Sequence, residues 1–177
     1  MRPISKTQGI AEIRRIKREF DREIREHFEH RAKSCSTCDT PGACCLDEHF
    51  VNVHISKLEA EAIGQRLSEL PTEMRQKVSQ RTKNAIEKYG LTADSADFER
   101  TYACPLFEKG IGCLVHGDNK PLPCISHACY ERKEDLPPEH LLSEREAKVD
   151  KLNEMVFGKP TPWLPIPIAI DSFSKPA

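Results

Sequence analysis

The sequence predicts a small, mainly α domain with irregular cysteine-rich loops. Three observations carry that prediction. Helical hydrophobic periodicity runs through four separated stretches. Prolines and glycines punctuate those stretches where helices start and stop. All eight cysteines fall in two groups outside them: Cys35, Cys38, Cys44 and Cys45, then Cys104, Cys113, Cys124 and Cys129. At 177 residues, 38% hydrophobic and 31% charged, the chain suits one ordinary domain with a modest core. A chain short of apolar area leans on disulfides or bound metal for stability.

The first stretch, residues 8–32, carries Ile10, Ile13, Ile16, Phe20, Ile24 and Phe28 at spacings of three and four, one face of a helix with Arg, Lys and Glu on the other. That face suits packing on the chain's own body, or docking onto a protein partner. Next comes "CSTCDTPGACC", with Asp39, Pro41 and Gly42 marking a turn between Cys38 and Cys44. "HFVNVHIS" (49–56) alternates as a short strand does. Ser56 caps a helix over 56–69 whose apolar face is Leu58, Ala62, Ile63 and Leu67. Pro71 suits the first turn of the next helix, which Met74, Val78 and Ile86 carry to Gly90. These two helices form a hairpin between the cysteine groups.

After the second group, Pro137 and Pro138 break the chain, and Ser143 and Glu146 have capping-box spacing for a helix through Val149, Leu152 and Val156 to Gly158. The tail "KPTPWLPIPIAIDSF" alternates Pro with apolar residues and is expected to be extended, pinned by Trp163. The organisation expected is therefore an N-terminal amphipathic helix (1–34), a cysteine-cluster region with an inserted helical hairpin (35–130), and a C-terminal helix with a Pro-rich tail (131–177).

Charge and hydropathy exclude some partners. Net charge is −1, from 27 basic and 28 acidic residues, so no single-sign field points to nucleic acid. The N-terminus lacks the apolar core of a secretory signal, and no stretch has the apolar length of a membrane span. A cytoplasmic location is the expectation, and there clustered thiols bind metal more often than they form disulfides.

Four uses compete for the eight thiols. Buried small hydrophobes would not cluster beside Asp, Thr, Ser and Gly. Disulfides fit the even count but not a reducing compartment. A nucleophile, with Cys124 paired to His127 or His116, needs one cysteine and not eight. Metal binding uses them all: a Cys-x-x-Cys step turns two sulfurs toward one ion, and further cysteines complete the shell. Cys44 and Cys45 are adjacent, and neighbouring side chains diverge in an extended backbone, so one is expected to serve one site and its neighbour another, or to bridge.

"CSTCDTPGACC", then "VHISKLEAEAI", then "CPLFEKGIGCLVHGDNKPLPC" and a final cysteine resemble the YkgJ-type cysteine-cluster family, described as a zinc- or iron-chelating domain. The resemblance covers residues 35–130 and includes all eight cysteines with Pro105, Leu106 and Pro121. It implies that Cys35, Cys38, Cys44, Cys45, Cys104, Cys113, Cys124 and Cys129 are metal ligands. The chain departs from the family at Val115-His116, where Ile-Tyr is usual, at Lys120, where the family has Arg, and at Ile125, which replaces a common Arg. His116 and His127 add nitrogen ligands or, more ordinarily, surface groups.

Four thiolates suit both Zn²⁺ and a [4Fe–4S] cluster. The Cys104-Pro105 step is similar to ferredoxin-type motifs, and neither group pairs zinc knuckles, so iron–sulfur is favoured over zinc. The expected function is metal binding, with electron transfer or metal handling. A structural-zinc interaction module is the alternative, and an accessory domain of a methylase-like enzyme a further one. No catalytic motif is present: no Gly-rich cofactor loop, Ser-His-Asp constellation or His-Glu-x-x-His.

Overall fold

The computed structural model describes residues 3–34, 39–40, 42–46, 51–93 and 100–174. Cys35, Cys38 and residues 49–50 of the expected strand lie outside them. Helix dominates, with four two-residue strands among the described residues, as the periodicity predicts.

Helix α1 (Lys6–His27) starts at Ser5, which shares a reciprocal capping box with Gln8. It begins two residues earlier than the hydrophobic pattern suggests and ends at His27, followed by a single 3₁₀ turn over Glu29–Arg31. Ile10, Ile13, Ile16, Phe20 and Ile24 are buried. They pack on the chain's own helices, so this face is core and not a free docking surface. At Gly9 α1 comes so close to the later helix α6 (Glu139–Phe157) that an added Cβ would overlap the Val156 side chain.

After the short α2 (Ala43–Leu46) and β1 (His54–Ile55), Ser56 opens α3 (Lys57–Ser68) through a capping box with Glu59. Helix α4 (Thr72–Tyr89) follows Pro71, which is the cap and not the first helical residue, and ends on Gly90 at φ 60°. The expected α3–α4 hairpin is wedged open. The two helices touch little and instead clasp α7 (Ile166–Phe173).

That helix corrects the tail. Ile166–Phe173 are helical, not extended, because Pro165 caps α7 and Pro167 sits in its first turn, where a missing N–H costs nothing. Only Leu164–Pro165 (β4) is strand, paired antiparallel to β1 in the register His54↔Pro165 and Ile55↔Leu164. Trp163 is partly buried and donates to Asp150, while Ile166, Ile168, Ala169 and Ile170 supply most of the anchoring.

The C-terminal helix needs a second correction. Helix α6 (Glu139–Phe157) begins directly after Pro138, and Ser143 donates back to the Glu139 carbonyl instead of capping. The prolines start the helix five residues before the capping-box spacing would. Gly158 closes it at φ 73°.

Two hydrophobic clusters result, and α3 divides them. Ala60 and Ile63 face the first with Val51, Ile55, Tyr102, Leu106, Val115 and Ile166. Leu58 and Ala62 face the second with the α1 stripe, Leu122, Ile125, Val149 and Leu152. Each fully buried Leu or Ile contributes about 1.5–3 kcal/mol. Both clusters reach into the cysteine segment, the first through Leu106 and Leu114 and the second through Leu122 and Ile125. None of the described helices is long and apolar enough to cross a membrane.

Candidate metal centre

The second cysteine group is built on a β-hairpin and a short helix. Strands β2 (Phe107–Glu108) and β3 (Gly112–Cys113) pair with Phe107 opposite Cys113. Gly110 and Gly112, at φ 82° and 100°, make the tight tip. Helix α5 (Leu122–Ser126) starts after Pro121 and carries Cys124. Arg81 of α4 clamps the hairpin base, its Nε donating to the Pro105 carbonyl at 2.9 Å and its Nη1 pairing with Glu108.

The first group meets the second here. The Cys104 N–H donates to the Cys45 carbonyl at 2.9 Å, and Lys33 N–H donates to the Cys129 carbonyl at 3.0 Å. Helix α2 rests on the hairpin through Gly42, whose backbone is left-handed at φ 82° and where a Cβ would fall 2.2 Å from Phe107 Cζ. Substituting Gly42→Ala is therefore expected to cost about 1–3 kcal/mol, from backbone strain and from lifting α2 off Phe107. Urea unfolding would show the lower midpoint, and a thiol-labelling reagent would react faster with Cys45.

The sulfurs sit in different electrostatic settings. Burial pushes the Cys104 thiol up to about 12, opposed by hydrogen bonds from the Leu106 and Phe107 backbones, while the neighbouring Cys113 charge pushes further up. Burial also raises Cys113, with the Val115 backbone hydrogen bond and Lys120 opposing. Cys124 is raised by burial and by Cys104 and Cys113, and lowered by Lys120 and Lys17. Cys104 and Cys113 thus each open a turn, closed by Phe107 N to Cys104 O at 3.3 Å and His116 N to Cys113 O at 3.2 Å. In both turns a backbone donor two residues on serves the sulfur. Such donors favour the thiolate over the thiol.

Cys44 and Cys45 share one hydrogen bond, which lowers Cys44 and raises Cys45; His127 lowers Cys44 further, and Cys104 and Cys124 raise Cys45 further. The adjacent pair is helical, not extended, so the two thiols touch each other while facing different neighbours. His127, expected beside Cys124 if anywhere, meets Cys44; it is exposed, as is His116.

Among the described residues, Cys44, Cys45, Cys104, Cys113, Cys124 and Cys129 are half-buried and in no disulfide. Four of them, Cys45, Cys104, Cys113 and Cys124, act on one another through charge. Among the described residues no three His, Cys, Asp or Glu side chains stand at metal-holding distance. In donor chemistry alone the set suits a soft metal: thiol sulfurs, backbone N–H groups aimed at two of them, and cations acting on Cys104, Cys113 and Cys124.

Two residues of this region carried no role in the motif. Tyr102, fully buried, donates to the Val53 carbonyl and accepts from Ile166 N at 3.0 Å, fixing the irregular segment that leads into Cys104. Lys17 lies in the apolar stripe of α1, four residues after Ile13 and three before Phe20, and that placement was its signal. Comparison with known proteins returns no matching family model, no matching curated relative and no matching solved structure.

Proposed function

We propose that the chain is a metal-binding protein whose thiolates hold an iron–sulfur cluster, [4Fe–4S] ahead of zinc, in a cytoplasmic setting. Cys45, Cys104, Cys113 and Cys124 are the leading ligands, and Cys35, Cys38, Cys44 and Cys129 complete the set that the YkgJ-type resemblance implies. The observation that supports this reading is the backbone contact between the two cysteine segments, Cys104 N–H to the Cys45 carbonyl, with backbone N–H groups turned onto Cys104 and Cys113. When bound, an iron–sulfur cluster accepts and returns single electrons. The chain's own part is to hold the sulfurs against the apolar side of Leu106, Leu114 and Val115, which limits water near them.

Electron transfer or metal handling follows from that role. The second reading, a structural zinc in an interaction module, is favoured by the turns at Cys104 and Cys113, whose N–H donors suit a mononuclear site equally. A partner bound at residues 8–32 would then meet the charged outer face of α1, since its apolar face is internal.

Protein purified anaerobically from iron-replete cells is expected to be brown, to contain iron and acid-labile sulfide, and to bleach with dithionite. Colourless protein with stoichiometric zinc and no sulfide rejects the cluster and leaves the zinc module. Protein with neither metal rejects both.

A further inference from the structure

Helix α7 fills the space between α3 and α4 only in part. A groove of about 710 Å³ is left beside the C-terminal end of α7, walled by the other two helices. Helical period sets the α4 wall. Arg75, Val78, Ser79, Thr82 and Lys83 recur at spacings of three and four, so one face of α4 looks into the groove. On the α3 side, a Cβ at Gly64 would overlap Ser174, so the end of α7 rests directly on α3 there. The floor is apolar. Val78 and Ile170 are buried, and Leu67 and Phe173 are partly buried against the same cluster.

The charges around this floor do not balance. Lys6 and Glu61 pair with each other at 2.8 Å. Arg75 and Lys83 meet no carboxylate among the described residues, and the only other acid at the groove is Asp171. Two cations against one acid leave the rim short of one negative charge. Arg75, Ser79 and Lys83 also follow one another at intervals of four, a row of donors along one line of α4. Arg75 gives one N–H to Thr72 Oγ1 at 2.9 Å. Its other N–H groups, the Ser79 hydroxyl and the Lys83 ammonium have no protein acceptor among the described residues.

We propose that this groove binds a small amphipathic monocarboxylate. Its apolar chain lies on Leu67, Val78, Ile170 and Phe173, and its carboxylate accepts from the row of Arg75, Ser79 and Lys83. The size falls within the range of small-molecule sites, about 300–1,000 Å³. A single anionic head supplies the charge the rim lacks, and a guanidinium beside a hydroxyl suits a carboxylate. The site shares no residue with the thiolate centre and stands whether or not that centre binds metal.

The test titrates decanoate, far below its micelle concentration, into isotope-labelled full-length protein and follows the backbone amide shifts. Saturable shifts are expected on the groove face of α4 and at the end of α7. Arg75→Gln/Lys83→Gln is expected to bind decanoate about fivefold to tenfold more weakly at low salt, the size of two exposed charge contacts. That gap should narrow as salt rises. Decanol, with the same chain and no charge, should bind wild type and the double variant alike. Ser79→Trp should fill the groove and abolish the shifts. All three positions are exposed, so both variants should melt within a few degrees of wild type. No saturable shift in wild-type protein would overturn the proposal, as would equal decanoate affinity in the double variant or shifts that survive Ser79→Trp. Decylammonium binding wild type as tightly as decanoate would overturn the choice of charge. A concentration-dependent dimer that Ser79→Trp dissociates would assign the groove to a second copy of the chain and overturn the small-molecule site.

Discussion

Stripping metal from the proposed thiolate centre with a chelator is expected to lower the melting temperature by roughly 10 °C. The reasoning runs through the chain between Cys45 and Cys104, a loop of about 60 residues. Cross-linking a loop of that length removes about 4 kcal/mol of denatured-state entropy. For a chain of this size each kcal/mol moves the midpoint by about 2–4 °C. The loss is not confined to the loops. Leu106 and Leu114 belong to one hydrophobic cluster and Leu122 and Ile125 to the other, so releasing the sulfurs frees residues that both clusters need. Circular dichroism melts before and after chelation, with metal content measured on the same samples, give the answer. Cys104→Ser with Cys124→Ser should melt like the stripped protein and ignore the chelator. An unchanged melt after demonstrated metal loss would show that the two clusters hold the fold unaided.

The helices were legible because burial imposes a period. Ile10, Ile13, Ile16, Phe20 and Ile24 announce α1, and Leu58, Ala62 and Ile63 announce α3, since one face of each must leave water. What failed to show was anything decided by a neighbour or by a cap. In "LPIPIAI" the prolines argue against helix in the interior but permit it in the first turn, and the sequence does not say which turn this is. Burial of Ile166, Ile168 and Ile170 between α3 and α4 decides it for α7. Pro138 misleads in the same way at the start of α6.

At the candidate site the residue types were legible and the arrangement was not. Eight clustered cysteines mark the region in any reading. The backbone donors at Leu106, Phe107 and Val115 have no side-chain signature, so the paired turns at Cys104 and Cys113 could not be read from spacing. Lys17 departs from the pattern: the sequence puts the lysines of α1 on its charged face, and Lys17 is instead buried beside Glu59, a conflict between local pattern and burial of the kind that marks special positions. Its partner Glu59 lies three residues after the Ser56 cap and closes a capping box there.

Phe20→Ala is expected to destabilise the protein by about 3–5 kcal/mol, the range for emptying a buried aromatic site. Phe20 is fully buried in the second cluster, with the Arg145 guanidinium 5.6 Å from its ring centroid. It shares that cluster with Leu122 and Ile125, which flank Cys124. At about 2–4 °C per kcal/mol, the melting temperature should fall by about 10 °C. Had α1 been a helix held ready for a partner, its Phe→Ala variant would leave the stability of the free chain near wild type and weaken only the complex. The two outcomes differ by several kcal/mol in one urea titration. Because the cavity would open beside α5, the variant should also expose Cys124, and a thiol reagent should label it faster than in wild type at denaturant concentrations where the protein is still folded. Full stability in Phe20→Ala would mean that the α1 face is not the core element its burial makes it.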